Sequence, residues 1–374
     1  MRIARIEVIP LGAELSAPRG PSILTYRRRE TLFIKITTDD GLVGWGETYR
    51  LAGVEGALRD ALTPLLVGRD PRELRKLHAA MRGATFDTGF AVGGMDLALH
   101  DLLGKALGMP VYQLYGGALR GSVEAYASLP GYYNDRDPEA HWLDEAEALV
   151  AQGFRGMKFR IGRFELRREA RALSEVRRRL GEDITLMADA NAAYTADQAV
   201  RMAAVLRELE FEWLEEPLPQ SGYLGYPELR SKTPLPLAGG EGLLNRSAAA
   251  TALARGCFDI VQPDVSICGG IGETLFVGEL ASLSSVRCIP HCWAGALTLA
   301  ATLHVCALLP ESSRLHGNAA PLLEFDVTEN PFRDNVVVGE PFALRDGCVD
   351  VPNRPGLGVE IDEAALKRYG AQAG

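Results

Sequence analysis

The chain has 374 residues, 47% hydrophobic and 24% charged, the balance of a globular enzyme with room for one large domain and a smaller one. Its formal net charge is −9 and its pI is near 5.4. That surplus of acid argues against nucleic acid or an anionic membrane surface as partner, but not against a small anionic substrate, because a bound metal reverses the local field.

Six cysteines, at 257, 268, 288, 292, 306 and 348, lie scattered in the second half, and none forms a CxxC pair. CIPHC places Cys288 and Cys292 around His291, a possible soft-metal pattern, but buried thiols in and beside a strand are the preferred reading. Unpaired cysteines fit a reducing cytoplasm. The opening MRIARIEVIPLG has no signal-peptide core, and no apolar run reaches the roughly 18 residues of a membrane span.

Residues 1–50 read as three strands: IARIEVIPL, TLFIKITTDDG and LVGWGETY, the last two joined by a DDG hairpin signal. Between the first two runs ELSAPRGPSILTYRRR, which is rich in Pro, Gly, Ser and Arg and has no apolar period. Its length suggests either a lid or a disordered connector, with Tyr26 and Arg27 to Arg29 able to reach an anion. Three helical stretches follow over 55–108, ending in a Gly-Met-Pro stop.

From Val123 the pattern changes to alternating strand and helix. Eight strand candidates follow: VEAYASLP, RGMKFRIG, ITLMADAN, FEWLEEP, PLPLAGGEG, FDIVQPDVS, VRCIPHCW and PLLEFD. Repeated βα units of this number imply a barrel. Strand and turn material over 331–374 looks set to return over the first domain. The expected fold is therefore α/β: a modified (β/α)7-8 TIM-like barrel over 121–330 with an N-terminal α+β capping domain over 1–120.

Three acidic signatures stand out: LMADAN (Asp189), EWLEEP (Glu215) and LAGGEG (Glu241), spaced by 26 residues in each interval. One strand, one helix and two loops take about that many residues, so three carboxylates would meet at one mouth of the barrel. Mg²⁺ wants hard oxygen ligands of this kind. Other strand ends carry Lys158 and Arg160, Asp264, His291 and Glu324. Titratable groups at so many successive strand ends point to an active site at that rim, since buried charge is costly unless used or paired.

The segments GMKFR, ADAN, LEEP, GGEG, QPDVSICGGIGE, PHCWAG and LLEFD together resemble the enolase superfamily, mandelate racemase / muconate lactonizing enzyme type. The resemblance covers nearly the whole chain. It implies one Mg²⁺ per subunit on Asp189, Glu215 and Glu241, a His291–Asp264 dyad, and an acid at Glu324 near the substrate. It also implies a small carboxylate substrate and a homo-oligomer. The reaction it implies begins with loss of a proton α to a carboxylate, with cations and hydrogen-bond donors stabilising the enediolate. His291 must be neutral to accept that proton, and Asp264 can fix its tautomer.

Racemases of this family carry Lys-x-Lys, with the second Lys as a base facing the histidine. Here that place belongs to Arg160, a guanidinium that stays protonated. Two-base racemisation is thereby disfavoured. Lys158 and Arg160 would orient the substrate carboxylate, and His291 would take the α-proton and return it to a departing β-hydroxyl. The expected activity is a Mg²⁺-dependent acid-sugar dehydratase, a lyase. The alternatives are a cycloisomerase or an epimerase/racemase on a related acid or lactone, and, from another class, a non-catalytic metal-stabilised binding protein.

Candidate substrate contacts are Asn191, Tyr49, Arg50, Tyr26 and Trp293. Glu216 precedes Pro217 and is expected to face away from Glu215. GGIG at 269–272 reads as a tight turn, and His78, His100, His141, His304 and His316 as surface or core histidines.

Overall fold

The computed structural model describes residues 1–129, 131–133, 137–221, 223–311 and 320–373. His316 lies outside them.

The chain opens with β1 (Ile3–Gly20), β2 (Tyr26–Thr38) and β3 (Val43–Tyr49), an antiparallel meander. Gly41 turns the β2–β3 hairpin at φ 85°, a left-handed conformation that a glycine adopts without steric cost. Alternation along β2 sends Leu32, Ile34 and Ile36 to one face, against the long buried helix Gly89–Leu107. Phe33, with Leu11 and Trp45 from the neighbouring strands, faces the other way and joins the main core. Gly44 and Gly46 let β3 lie directly on that helix: a Cβ on Gly46 would collide with the Gly94 carbonyl oxygen.

The segment expected as an irregular lid or a disordered connector, residues 14–29, is instead the tip of a two-stranded ribbon. Glu14 pairs with Arg28, and after a bulge Arg19 pairs with Tyr26. Apolar alternation is missing there because an inward position is filled by a charged residue with a buried partner. Arg29 reaches Asp326 at 2.6 Å and stacks over Trp293 at 4.3 Å.

All eight expected strands of the second region form: β4 (Ser122–Ser128), then, after the two-residue β5 (Tyr132–Tyr133), β6 (Gly156–Arg160), β7 (Thr185–Asp189), β8 (Leu214–Glu215), β9 (Leu237–Gly239), β10 (Ile260–Val261), β11 (Arg287–Cys288) and β12 (Leu323–Asp326). β5 leaves this series and extends the ribbon beside β1. The others pair in parallel, in the order β11-β10-β9-β8-β7-β6-β4, with β12 beside β4. Helices fill the crossovers. Among the described residues no backbone ladder joins β11 to β12, so the sheet is barrel-like. Side chains nevertheless bridge that seam: Tyr126, Met187, Trp213, Ala238, Ile260 and Ile289 form one interior cluster, with Leu322 packed against it.

That interior layer positions the site. Side chains two apart on a strand share a face. Two residues beyond Tyr126 stands Ser128, beyond Met187 Asp189, beyond Trp213 Glu215, beyond Ile260 Gln262, beyond Ile289 His291, and beyond Leu322 Glu324. The apolar plug of this barrel-like sheet is thus the floor beneath a set of polar groups. Glu241 breaks the rule and arrives through a turn at Gly240, φ 115°.

The C-terminal stretch splits. The helix Glu363–Gly370 packs on β1. The hairpin β13 (Leu344–Arg345) and β14 (Cys348–Asp350) does not cover the first domain; it pairs antiparallel with β4, extending the barrel sheet. All six cysteines are free thiols, five of them buried. No helix among the described residues is long and apolar enough to cross a membrane.

Candidate active site

Where the strands end, charge is concentrated in a volume closed to solvent. Lys158 is fully buried on β6 and its ammonium is held between three carboxylates: Glu215, Glu324 at 2.8 Å and Asp189 at 3.7 Å. Two residues on, Arg160 grips Asp189, and its guanidinium reaches Asn191 Oδ1 at 3.2 Å and Ser128 Oγ at 3.4 Å. Asn191 sits past the strand end at φ 45°, where its backbone N–H donates to Asp189 Oδ1 at 2.8 Å. Glu215 also accepts from Trp213 Nε1 at 3.1 Å and Gln262 Nε2 at 2.8 Å.

His291 stands across from this cluster. Its Nδ1 meets Asp264 Oδ2 at 2.8 Å, and its Nε2 lies 3.3 Å from Glu241 Oε2. The Ser266 N–H donates to the other Asp264 oxygen at 2.7 Å. From the first domain, Tyr49 reaches over and donates its hydroxyl to Asp264 Oδ2 at 2.9 Å. Glu324 accepts from the Cys292 N–H at 3.1 Å, fixing the loop that carries His291.

The electrostatics follow from burial and crowding. Desolvation pushes Asp189 up to about 7, with Arg160 opposing and Glu215 adding to the rise. Burial works against a charged His291, but Glu241, then Glu324 and Asp264, overcome it and raise the imidazole to about 10. The carboxylate of Glu241 is the largest charge favouring the protonated ring, so a cation that offsets Glu241 would favour the neutral, proton-accepting form. Burial likewise opposes charge on Glu324, yet Lys158, His291 and Arg160 hold it well below the usual carboxylate range. The acid expected near the substrate at Glu324 stands beside Lys158 at 2.8 Å, and these cations favour its carboxylate form. Lys158 is raised, as Glu215, Glu324 and Asp189 outweigh its desolvation.

The expected metal trio is not gathered. Among the described residues no three acidic, His or Cys side chains stand together at metal-ligand spacing. Each carboxylate is instead taken by a neighbouring cation or donor: Asp189 by Arg160, Glu215 by Lys158, and Glu241 by His291 and by Gln220 Nε2 at 3.1 Å. The donor set still fits a hard divalent cation: all three ligands are oxygens, and Asp189 and Glu215 are direct neighbours in the β7–β8 ladder.

A cavity of about 340 Å³ opens above these groups, a size suited to a small molecule. Its lining brings together Arg160, Asn191, Glu241 and His291 with Tyr26, Tyr49, Arg50 and Trp293. Tyr26 stacks on Trp293 at 5.1 Å between ring centres. Arg50 is tied to Glu30 at 2.8 Å and to the Ala373 carbonyl at 2.6 Å. Every candidate substrate contact thus lines this cavity, although the Tyr49 hydroxyl is committed to Asp264.

Glu216 faces away, as expected, accepting from Tyr226 at 2.9 Å, Tyr223 at 3.2 Å and the Gly240 N–H at 2.8 Å. His100 and His304 are core residues bonded to the Asp96 and Leu357 carbonyls, and burial pushes His304 down to about 4. The 269–272 turn is tight, with Gly269 and Gly270 at φ 100° and 110°, and its helix N-terminus is capped by Asp96.

Sequence reading missed Ser128, Gln262, Gln220 and Glu47. The first two carry a usable signal, since each follows an inward apolar residue by two. Gln220 has none. Glu47, inside GWGET, is fully buried and accepts from the Gly295 N–H at 2.7 Å and the Thr298 N–H at 3.1 Å. It thereby binds the first domain to the helix that follows the His291 loop.

Comparisons with known proteins agree with this geometry. The family model described as "Mandelate racemase / muconate lactonizing enzyme, N-terminal domain" matches residues 5–116, and "Enolase C-terminal domain-like" matches 141–365. The chain is 35% identical to D-galactarolactone cycloisomerase of Agrobacterium fabrum over 99% of both chains. It is 34% identical to D-galactonate dehydratase of Verminephrobacter eiseniae over 92% of each chain. Among solved structures, the 3,6-anhydro-D-galactonate cycloisomerase of Zobellia galactanivorans superposes with a TM-score of 0.87 at 31% identity over 99% of both chains. A racemase from Streptomyces coelicolor A3(2) with bound magnesium gives a TM-score of 0.87 at 27% identity, covering 98% of this chain and 99% of that one. The chain belongs to the mandelate racemase / muconate lactonizing enzyme family of the enolase superfamily.

Proposed function

We propose that the chain is a Mg²⁺-dependent acid-sugar dehydratase, a hydro-lyase that removes the proton α to a sugar carboxylate and expels the β-hydroxyl as water. The observation that carries this reading is the His291–Asp264 dyad at 2.8 Å, facing the same cavity as Arg160, Asn191 and Glu241. Relatives named as galactonate and arabinonate dehydratases support it.

Asp189, Glu215 and Glu241 would hold one Mg²⁺ per subunit, by the chemistry of their donors. When bound, the ion supplies positive charge for the substrate carboxylate as the enediolate forms. Lys158 and Arg160 add fixed positive charge beside that carboxylate and orient it. His291 takes the α-proton at Nε2, while Asp264 holds Nδ1 and balances the imidazolium that results. The proton then passes from Nε2 to the β-hydroxyl, which leaves as water, and the enol product tautomerises to a 2-keto-3-deoxy acid. Tyr26 and Trp293 wall the cavity and limit water access.

A cycloisomerase on a lactone is the second reading. It uses the same proton abstraction with a ring oxygen as leaving group, and it is favoured by the 35% identity to a cycloisomerase over 99% of both chains. Two-base epimerisation or racemisation is disfavoured because Arg160 stays protonated and is bound to Asp189. The wider reading is a closed, modified (β/α)7-8 barrel over 121–330, a capping domain over 1–120 and a C-terminal stretch over 331–374 whose final helix returns to the capping domain. That unit would work as a homo-oligomer in the cytoplasm.

Incubation with a library of sugar acids and Mg²⁺ tests the proposal. A 2-keto-3-deoxy product trapped by semicarbazide from an open-chain acid is expected. The same product from a lactone alone selects the cycloisomerase, and exchange of the α-proton for deuterium without a ketone product selects the epimerase. Complete inertness leaves the silent binding scaffold.

A further inference from the structure

Among the described residues five guanidinium groups line the cavity, and four of them are already engaged with carboxylates. Arg160 holds Asp189, Arg29 holds Asp326 at 2.6 Å, Arg50 holds Glu30 at 2.8 Å, and Arg28 lies 3.6 Å from both Glu14 and Glu30. Arg19 is different. Among the described residues it has no acidic side chain at ion-pair distance. Its Nη1 donates to the Tyr133 hydroxyl at 3.0 Å, its guanidinium lies 5.2 Å from the Tyr133 ring centre, and its Nε is buried without a hydrogen-bond partner. Glu329 feels its charge but is tied to the Ser16 N–H and hydroxyl at 2.9 and 2.7 Å.

The fold fixes Arg19 in place. It pairs across the ribbon with Tyr26, whose ring reaches Trp293 above the catalytic groups, and on its other side with Tyr133 of β5. The cavity is therefore polarised. Arg160 and Glu241 line its floor, over the buried cluster of Lys158 with Asp189, Glu215 and Glu324. Its ribbon wall carries an arginine with donor capacity left over. A planar guanidinium with free donors is suited to a carboxylate, which it can grip through two hydrogen bonds.

We infer that the substrate is a dicarboxylic sugar acid or its lactone: one carboxylate lies at the floor beside Lys158 and Arg160, and the second lies on Arg19. This rests on the acid-sugar reading above and narrows it to diacids. It also gives the ribbon tip a task. The bulge between Glu14 and Arg19 sets where the cation stands, and hence the length of diacid the cavity accepts.

The test is calorimetric binding to the full chain carrying His291→Asn, with Mg²⁺ present so that turnover is suppressed. D-Glucarate is compared with D-gluconate, and galactarate with D-galactonate. A charge-assisted pair is worth about tenfold or more in affinity, so at least one diacid should bind about tenfold more tightly than its monoacid partner. Adding Arg19→Gln should remove that preference while leaving monoacid affinity within about threefold. Diacids that bind no better than monoacids, or not at all, overturn the inference. So does an Arg19→Gln variant that loses affinity for both classes equally, because that marks Arg19 as a support for the ribbon. Turnover of monoacids by the unaltered enzyme without diacid preference would leave the dehydratase reading standing. Diacid preference without turnover of any sugar acid would do the reverse.

Discussion

Tyr49 and His291 converge on a single oxygen: the Tyr49 hydroxyl donates to Asp264 Oδ2 at 2.9 Å, and His291 Nδ1 meets the same atom at 2.8 Å. One partner comes from the end of β3 in the first domain and the other from the strand end after β11. The dyad is thus completed across the two structural regions. Burial, with Asp264 beside it, raises the Tyr49 hydroxyl well above its ordinary value, so it remains a donor.

Tyr49→Phe should therefore lower kcat about tenfold and change KM less than about threefold, since a hydrogen bond to a charged group is worth about 1.5–3 kcal/mol. Steady-state kinetics on the accepted sugar acid decides this. A raised KM at constant kcat would make Tyr49 a substrate contact instead.

Glu215→Gln removes a carboxylate oxygen at the centre of the donor set and should weaken Mg²⁺ binding at least about tenfold, measured by titration calorimetry. Unaltered affinity would refute the ligand assignment.

Much of this site was legible because strands alternate. Asp189, Glu215, Asp264, His291 and Glu324 each sit where an apolar run breaks, and all five stand along one rim of the barrel-like sheet. The ribbon over residues 14–29 was not legible. Its inward position is filled by Arg29 on Asp326, a partner 297 residues away, so no local apolar pattern marks it. The gathering of Lys158 against three carboxylates was hidden for the same reason: its partners come from three other strands. The C-terminal hairpin was misplaced because an edge of β4 is open to it, which no sequence period reveals.

Glu47 makes stability depend on pH. Desolvation raises its carboxyl from 4.5 to about 6, although the Thr298 and Gly295 N–H groups and the Thr31 hydroxyl oppose the rise. A raised folded-state value means that the protonated group favours the fold. Its stabilising contribution is full below about pH 4.5 and is lost as pH rises through about 6, a change of about 2 kcal/mol. Urea unfolding at pH 5 and pH 7 should show this loss in the native chain, and Glu47→Gln should remove that part of the slope. An identical slope in the variant would show that Glu47 does not titrate in this range.

Gly46→Ala places a methyl against the Gly94 carbonyl and should cost about 1–3 kcal/mol of stability, because strand and helix backbones are already in contact. Denaturant midpoints check this, and a midpoint equal to that of the native chain would show that β3 and the helix can separate freely.

The central claim is that His291 moves the α-proton. The most direct measurement compares the native chain with His291→Asn on the best sugar-acid substrate in deuterium oxide with Mg²⁺, following both the semicarbazide-trapped keto product and α-proton exchange. The predicted result is a fall of about 10²–10⁴ in both rates, with unchanged circular dichroism and Mg²⁺ affinity. Turnover in His291→Asn equal to that of the native chain would contradict the account.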